Sequence, residues 1–216
     1  MFEKFLNLIF PNVCGFCNRI DKNSLCKHCE KMISKYKLNY IENCKDDKTK
    51  YFDFCFSALK YEGIIRDKII SYKFGEKSYL YKTFTKIIIN NKKICRFIKL
   101  YDIIIPVPMF KSKQSVRGYN QSMLVAKEIS RQAGIKYLSD ALIKIKDTNV
   151  QSTLNKQKRL NNVKNAFKVQ KQDIIKGKKI IILDDIYTTG STVNECSKVL
   201  KQAGAKEIFV ITIARD

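Results

Sequence analysis

Four consecutive apolar residues, Ile180 to Leu183, follow Lys178 and Lys179 and precede Asp184 and Asp185. That pattern suits a parallel strand buried on both faces better than a half-exposed alternating one. Beyond a hydroxyl-rich stretch, Val193, Cys196, Val199, Leu200 and Ala203 share one face of a predicted helix, and Gly204 supplies its stop. Ile208 to Ala214 predicts the next strand. Upstream, Tyr51 to Tyr61 predicts a strand, and Ile64, Ile65, Ile69 and Tyr72 predict a helix running into Lys73-Phe74-Gly75. A second helical pattern spans Tyr79 to Asn90, with Leu80, Phe84, Ile87 and Ile88 on one side. Asp102 to Val107 predicts a strand closed by Pro106-Val107-Pro108, since proline ends the hydrogen-bonded ladder. A basic loop and then a helix from Gln121 to Gln132 follow, whereas the amide-rich run from Thr148 to Phe167 predicts an exposed loop. Phe2, Phe5, Leu6, Ile9 and Phe10 fit a short amphipathic helix stopped by Pro11 rather than a signal peptide. Strands alternating with helices place the chain in the α/β class, with ligands expected beyond the C-terminal strand ends.

Composition narrows this picture. At 216 residues and 45% hydrophobic content, the chain suits one ordinary domain plus a small appendage. No stretch of eighteen apolar residues offers a spanning helix, and a cytoplasmic protein is expected. The net charge of +22 arises from 42 Lys and Arg against 20 Asp and Glu and would draw polyanions by counterion release. Seven of those 42 are arginines, leaving 35 lysines, a bias that an A/T-rich genome also produces.

Cys14, Cys17, Cys26 and Cys29 form two C-x2-C pairs eight residues apart. That spacing predicts a structural tetrahedral zinc site, closed to substrate and water because all four positions are thiolates. His28 is read as a bystander, and Cys44, Cys55, Cys95 and Cys196 as core thiols. A module over residues 1–45 and a main domain over 51–216 are expected, with the polar run from Glu42 to Lys50 as the linker.

The richest local chemistry is Asp184-Asp185-Ile186-Tyr187-Thr188-Thr189-Gly190-Ser191-Thr192. The loop Thr188 to Thr192 can turn backbone amides and hydroxyls toward one anion ahead of a helix N-terminus. Asp184 and Asp185 would repel a phosphate, so they suit the vicinal hydroxyls of a ribose. The plainer reading is a helix preceded by two solvated or metal-binding acids. No Walker lysine or G-x-G-x-x-G motif is present. The segment resembles the phosphoribosyl pyrophosphate (PRPP) motif of type I phosphoribosyltransferases. That resemblance implies that the two aspartates hold ribose and that Thr188, Thr189, Gly190, Ser191 and Thr192 hold the 5-phosphate.

Further segments occur in order: the cysteine pairs, Lys73-Phe74-Gly75, Pro106-Val107-Pro108, Arg117-Gly118-Tyr119-Asn120-Gln121, Gln151 followed by Arg159 and Asn162-Val163, and the acidic motif. Over nearly the whole chain this is similar to the ComF family of competence-associated, phosphoribosyltransferase-like proteins. The resemblance implies a type I phosphoribosyltransferase-like parallel sheet flanked by helices, with a small N-terminal zinc-binding module. It also implies Pro106-Val107-Pro108 as the pyrophosphate loop and Arg117 and Arg159 near the cleft; Lys73 is expected among the PRPP contacts, Gln151, Arg159 and Asn162 are the contacts expected if the run from Thr148 to Phe167 is a basic lid, and Mg2+ accompanies PRPP. The function implied is PRPP binding coupled to handling or import of single-stranded DNA in natural transformation, with a DNA-uptake helicase or other competence proteins as partners. The alternative is an active phosphoribosyltransferase acting on a small nitrogenous acceptor, with Asp184 and Asp185 as its catalytic acids. Purine-salvage relatives often carry a carboxylate where this chain has Thr188, and a hydroxyl is a poor general base at neutral pH.

Overall fold

The computed structural model describes residues 12–75, 77–148 and 162–216. The expected helix over residues 2–10, together with Gln151 and Arg159, lies outside these residues. Helix α1 (Lys27–Met32) leads through a 3-10 turn (Ile33–Tyr36) to strand β1 (Glu42–Asn43), then β2 (Phe54–Lys60), α2 (Gly63–Phe74), α3 (Leu80–Ile89), α4 (Lys92–Ile98) and β3 (Ile103–Pro106). Next come α5 (Lys111–Arg117), α6 (Gln121–Ala133), β4 (Lys136–Tyr137), β5 (Leu142–Lys144), β6 (Phe167–Val169) and α7 (Gln172–Ile175). Strand β7 (Lys179–Tyr187), helix α8 (Ser191–Gln202) and strand β8 (Glu207–Arg215) complete the order.

Six strands form one sheet in the order β1-β2-β8-β7-β3-β4, parallel except for the antiparallel edge strand β1, and β5 and β6 form a separate antiparallel pair. The uninterrupted apolar run at Ile180–Leu183 is explained by burial on both faces. Ile181 and Leu183 join a core that includes Phe209, Ile211, Ile65, Phe84 and Ile129, whereas Ile180 and Ile182 join one that includes Val210, Val193, Cys196 and Leu200. Helices α2, α3 and α6 thus cover one face, and α8 covers the other.

Several expectations are corrected. Strand β7 does not stop before the acids: it pairs with β8 from Lys179 through Tyr187, so Asp184 and Asp185 are strand residues. The basic loop after Pro108 holds helix α5, whose residues are all at least partly exposed and therefore carry no apolar stripe to reveal it. The run from Glu42 to Lys50 is docked against the main domain: β1 pairs with β2, and Glu42 accepts from Lys50 Nζ and Arg215 Nη2, each at 2.7 Å.

The cysteine segment is built into the first core, with Cys14, Phe16, Leu25, Cys29 and Ile33 in the same cluster as Leu80 and Phe84. Gly15 permits this approach, because a Cβ there would strike the side chains of Thr83 and Leu80. Thr83 Oγ1 donates to the Ser24 carbonyl at 2.7 Å.

Candidate functional site

Strand β3 connects through α5 and α6 to β4 on one side of it, and β7 connects through α8 to β8 on the other. The two connections diverge to opposite faces, which opens a crevice between the C-terminal ends of β3 and β7. A cleft of about 720 Å³ occupies that place, with Lys73, Arg117, Asp184, Asp185, Thr188, Gly190, Ser191 and Thr192 among its lining residues.

The two carboxylates have different surroundings. Asp185 pairs with Lys73, Nζ to Oδ2 3.0 Å, from the last turn of α2. Asp184 Oδ1 accepts from Ser122 Oγ at 3.3 Å and from the Asp185 amide at 2.9 Å. Burial and the neighbouring Asp185 charge push the Asp184 carboxyl up to about 7, against the opposing pull of the Asp185 amide, Lys73 and Ser122.

After Tyr187 the chain turns through Gly190, at φ +72°, into the first residue of α8. Any larger residue there would be strained, and its Cβ would stand 2.5 Å from Tyr187 Oη. Thr189 Oγ1 lies 2.7 Å from Ser191 Oγ and accepts from the Ser191 amide, the first of α8, at 3.4 Å, while the N-cap residue Gly190 has no side chain to cap with. Gly190, Ser191 and Thr192, at the start of a twelve-residue helix, line the cleft, so the positive end of the helix lies there.

The opposite wall comes from the α5–α6 corner. Gly118, at φ +80°, ends α5, and Asn120 caps α6 by accepting from the Met123 amide at 3.2 Å. Asn120 Nδ2 also donates to the Val107 carbonyl at 3.0 Å, tying this corner to the Pro-Val-Pro exit of β3. Arg117 Nη1 donates to Gln121 Oε1 at 2.8 Å, and its guanidinium lies 4.8 Å from the centre of the Phe74 ring. Tyr119 donates to the Tyr72 carbonyl, while Tyr72 Oη donates to the Gln121 carbonyl at 2.9 Å, so α2 and α6 are clamped together.

The cleft therefore brings together Lys73, Arg117, Asp184, Asp185, Thr188, Gly190, Ser191 and Thr192, while Thr189 supports the turn through Ser191. Asn162 is half-buried and is not among the lining residues. Sequence reasoning missed Ser122, Lys113 and Lys144. Lys113 pairs with Asp147 at 2.6 Å, and Lys144 Nζ donates to Thr148 Oγ1 at 2.7 Å. Burial, followed by repulsion from Lys113, lowers the Lys144 pKa. Nothing in composition could single out two lysines among 35.

The sulfur atoms of Cys14, Cys17, Cys26 and Cys29 all lie within 4.8 Å of one another, and Cys17 and Cys26 are 3.9 Å apart. Four thiolates about 2.3 Å from a tetrahedral ion stand roughly 3.8 Å apart, so the donor set fits a metal such as zinc. Burial raises the Cys14 thiol, but the Cys26, Cys17 and Phe16 amides outweigh it and hold the group at about 6. His28 is exposed and stands outside the cluster, as do Cys44 and Cys55.

Residues 120–216 match the phosphoribosyl transferase domain model. The chain is 31% identical over 213 residues to Competence protein F of Haemophilus influenzae, covering 91% of this chain and 92% of that protein. It is 27% identical over 210 residues to Competence protein ComFC of Streptococcus pneumoniae, covering 91% and 90% respectively. A 118-residue match, 35% identical, to DNA utilization protein YhgH of Escherichia coli O6:H1 covers 55% of this chain and 51% of that protein. Among solved structures, the allosteric regulatory enzyme of purine biosynthesis is 19% identical with a TM-score of 0.44, covering 66% of this chain and 29% of that one.

Proposed function

The chain belongs to the ComF family, with a phosphoribosyl transferase domain in its C-terminal half, and on that premise we propose that its cleft binds PRPP and that the protein assists the handling or import of single-stranded DNA in natural transformation. The observation that carries PRPP is the convergence of two unlike surfaces on one cleft. The carboxylates of β7 suit ribose hydroxyls, and the N-terminus of α8 with its Gly190 turn and hydroxyl side chains suits a phosphate. Arg117 and Lys73 supply positive charge to a diphosphate from the opposite wall. In this reading Mg2+ enters with PRPP, near Asp184 and Asp185, and supplies neutralisation of the diphosphate charge. Zinc in the Cys14, Cys17, Cys26 and Cys29 cluster serves structure. Among the described residues, no helix is long and apolar enough to cross a membrane. The competence and DNA-utilization names of the relatives support a role in competence and DNA uptake; a cytoplasmic location and partners in DNA uptake belong to the same proposal.

Calorimetry with PRPP and Mg2+ tests the ligand. Saturable heat is expected from the parent protein, with a loss of affinity of at least about tenfold in Asp185→Asn and in Gly190→Ala. A parent protein giving no heat overturns the assignment.

A second reading is active transfer: the Asp184 carboxyl lines the cleft beside Asp185 and Ser122, and burial with the Asp185 charge pushes its pKa up, which suits a proton acceptor near neutrality. A nitrogen nucleophile would attack ribose C1 as the bond to pyrophosphate breaks, giving up its proton to that carboxylate. Pyrophosphate release with a candidate acceptor, abolished in Asp185→Ala, would establish this reading.

A further inference from the structure

A second concavity, of about 550 Å³, lies between the cysteine segment, α3 and α6. Lys22 comes from the turn between Cys17 and Cys26, Lys82 and Lys86 from α3, and Arg131 from α6. Four cations thus converge from three segments. Among the described residues, Glu128 is the one carboxylate lining the groove, and it is engaged by Arg131 Nε at 3.0 Å, Arg131 Nη2 at 2.6 Å and Gln132 Nε2 at 2.7 Å, so Arg131 offsets its charge. Among the described residues, Lys22, Lys82 and Lys86 make no salt bridge, as most of the lysines do not, and the charge of Lys82 helps to lower the Glu128 pKa. The walls are fixed to each other: Thr83 Oγ1 holds the Ser24 carbonyl, and Lys86 Nζ reaches the Leu25 carbonyl at 3.4 Å.

We propose that this groove binds single-stranded nucleic acid, with Lys22, Lys82 and Lys86 against backbone phosphates and Tyr81 offering its ring to a base. The chemistry selects a single strand because a cationic groove with an aromatic residue captures phosphates and unstacked bases together, whereas a duplex keeps its bases inside. Asn12, Asn23, Asn90 and Gln132 add neutral polar groups along the same lining. Helix α6 joins this groove to the cleft, since Ser122 lines one and Gln132 the other, roughly 15 Å apart along the helix axis. The two sites are therefore separate on one rigid element. This inference rests on the proposed single-stranded DNA role and gives it a location.

The test is fluorescence anisotropy with a labelled oligothymidylate across a salt series, beside calorimetry with PRPP. The double variant Lys22→Ala/Lys82→Ala is compared with Lys168→Ala/Lys206→Ala, which removes the same charge at exposed positions outside the groove. The groove variant is expected to bind about tenfold more weakly at low salt. Its logarithmic salt dependence should fall by about 0.7 for each lost contact. The control pair should keep the parent slope, and both should keep the parent PRPP affinity. Tyr81→Leu should weaken binding of the oligothymidylate but not of a duplex. Equal loss in the two double variants would mean diffuse attraction and would overturn the groove. No binding by the parent at low salt would overturn both the groove and the DNA role, while leaving PRPP binding to be judged on its own.

Discussion

Asp184 sits in the most demanding environment of the cleft, a carboxyl buried beside another carboxylate. Its pKa rises from the ordinary 3.8 to about 7, so between those values the folded chain holds a proton that the unfolded chain has lost. The contribution of this residue to stability therefore falls as pH rises through that window and levels off above it. Asp184→Asn should remove that part of the slope. Urea denaturation without ligand should find the variant roughly 1 to 3 kcal/mol more stable than the parent near pH 8 and close to it near pH 4. Equal parent and variant stabilities near pH 8 would contradict the burial argument. The two aspartates were legible as a pair in the sequence, but their difference was not. It depends on Lys73, 112 positions before Asp185, and on Ser122, neither of which carries a mark of its partner.

At the scale of elements, the start of α6 connects stability to the site. Asn120 caps the helix and also holds the Val107 carbonyl while itself buried, so losing it costs a cap and a buried hydrogen bond. Asn120→Ala should cost about 1 to 2 kcal/mol and weaken PRPP binding, because the Pro-Val-Pro exit loses its tie. Asn91 caps α4, accepting from the Lys93 and Ile94 amides, and does not line the cleft. Asn91→Ala should cost about 1 kcal/mol and leave PRPP affinity unchanged, as chemical denaturation and calorimetry together would reveal. Equal ligand losses in both variants would refute the positioning role of Asn120. Elements with a strong apolar stripe, such as α3, α6 and α8, were legible within a residue or two. Helix α5 has no buried residue, and the β5–β6 pair joins three-residue strands distant in sequence, so neither leaves a local pattern to read.

At the scale of the whole molecule, the cysteine segment shares its core with α2 and α3. A metal bound there would stabilise more than its own knuckles. Removing it with a strong chelator should lower the thermal midpoint of the entire described domain in a single transition, since Phe16, Leu25 and Ile33 pack in the core that holds Ile65 and Phe84. Differential scanning calorimetry would decide this. A separate early transition followed by an unshifted main one would mean that the module melts alone.

Local order along the chain was sufficient to predict the strand, acids, hydroxyl loop and helix of Ile180 to Ala203 and the clustering of the paired C-x2-C cysteines, because each lies within one turn, strand or knuckle whose geometry its own residues dictate. Only the tertiary structure decided that Lys73 meets Asp185, that Arg117 lies over Phe74 and bonds Gln121, and that Lys113 and Lys144 enter the cleft. It also docked the cysteine module on α3 and so formed the second groove. Those meetings depend on how helices cross a twisted sheet. In a chain with 35 lysines, the identity of a lysine says nothing about which carboxylate, if any, it will meet.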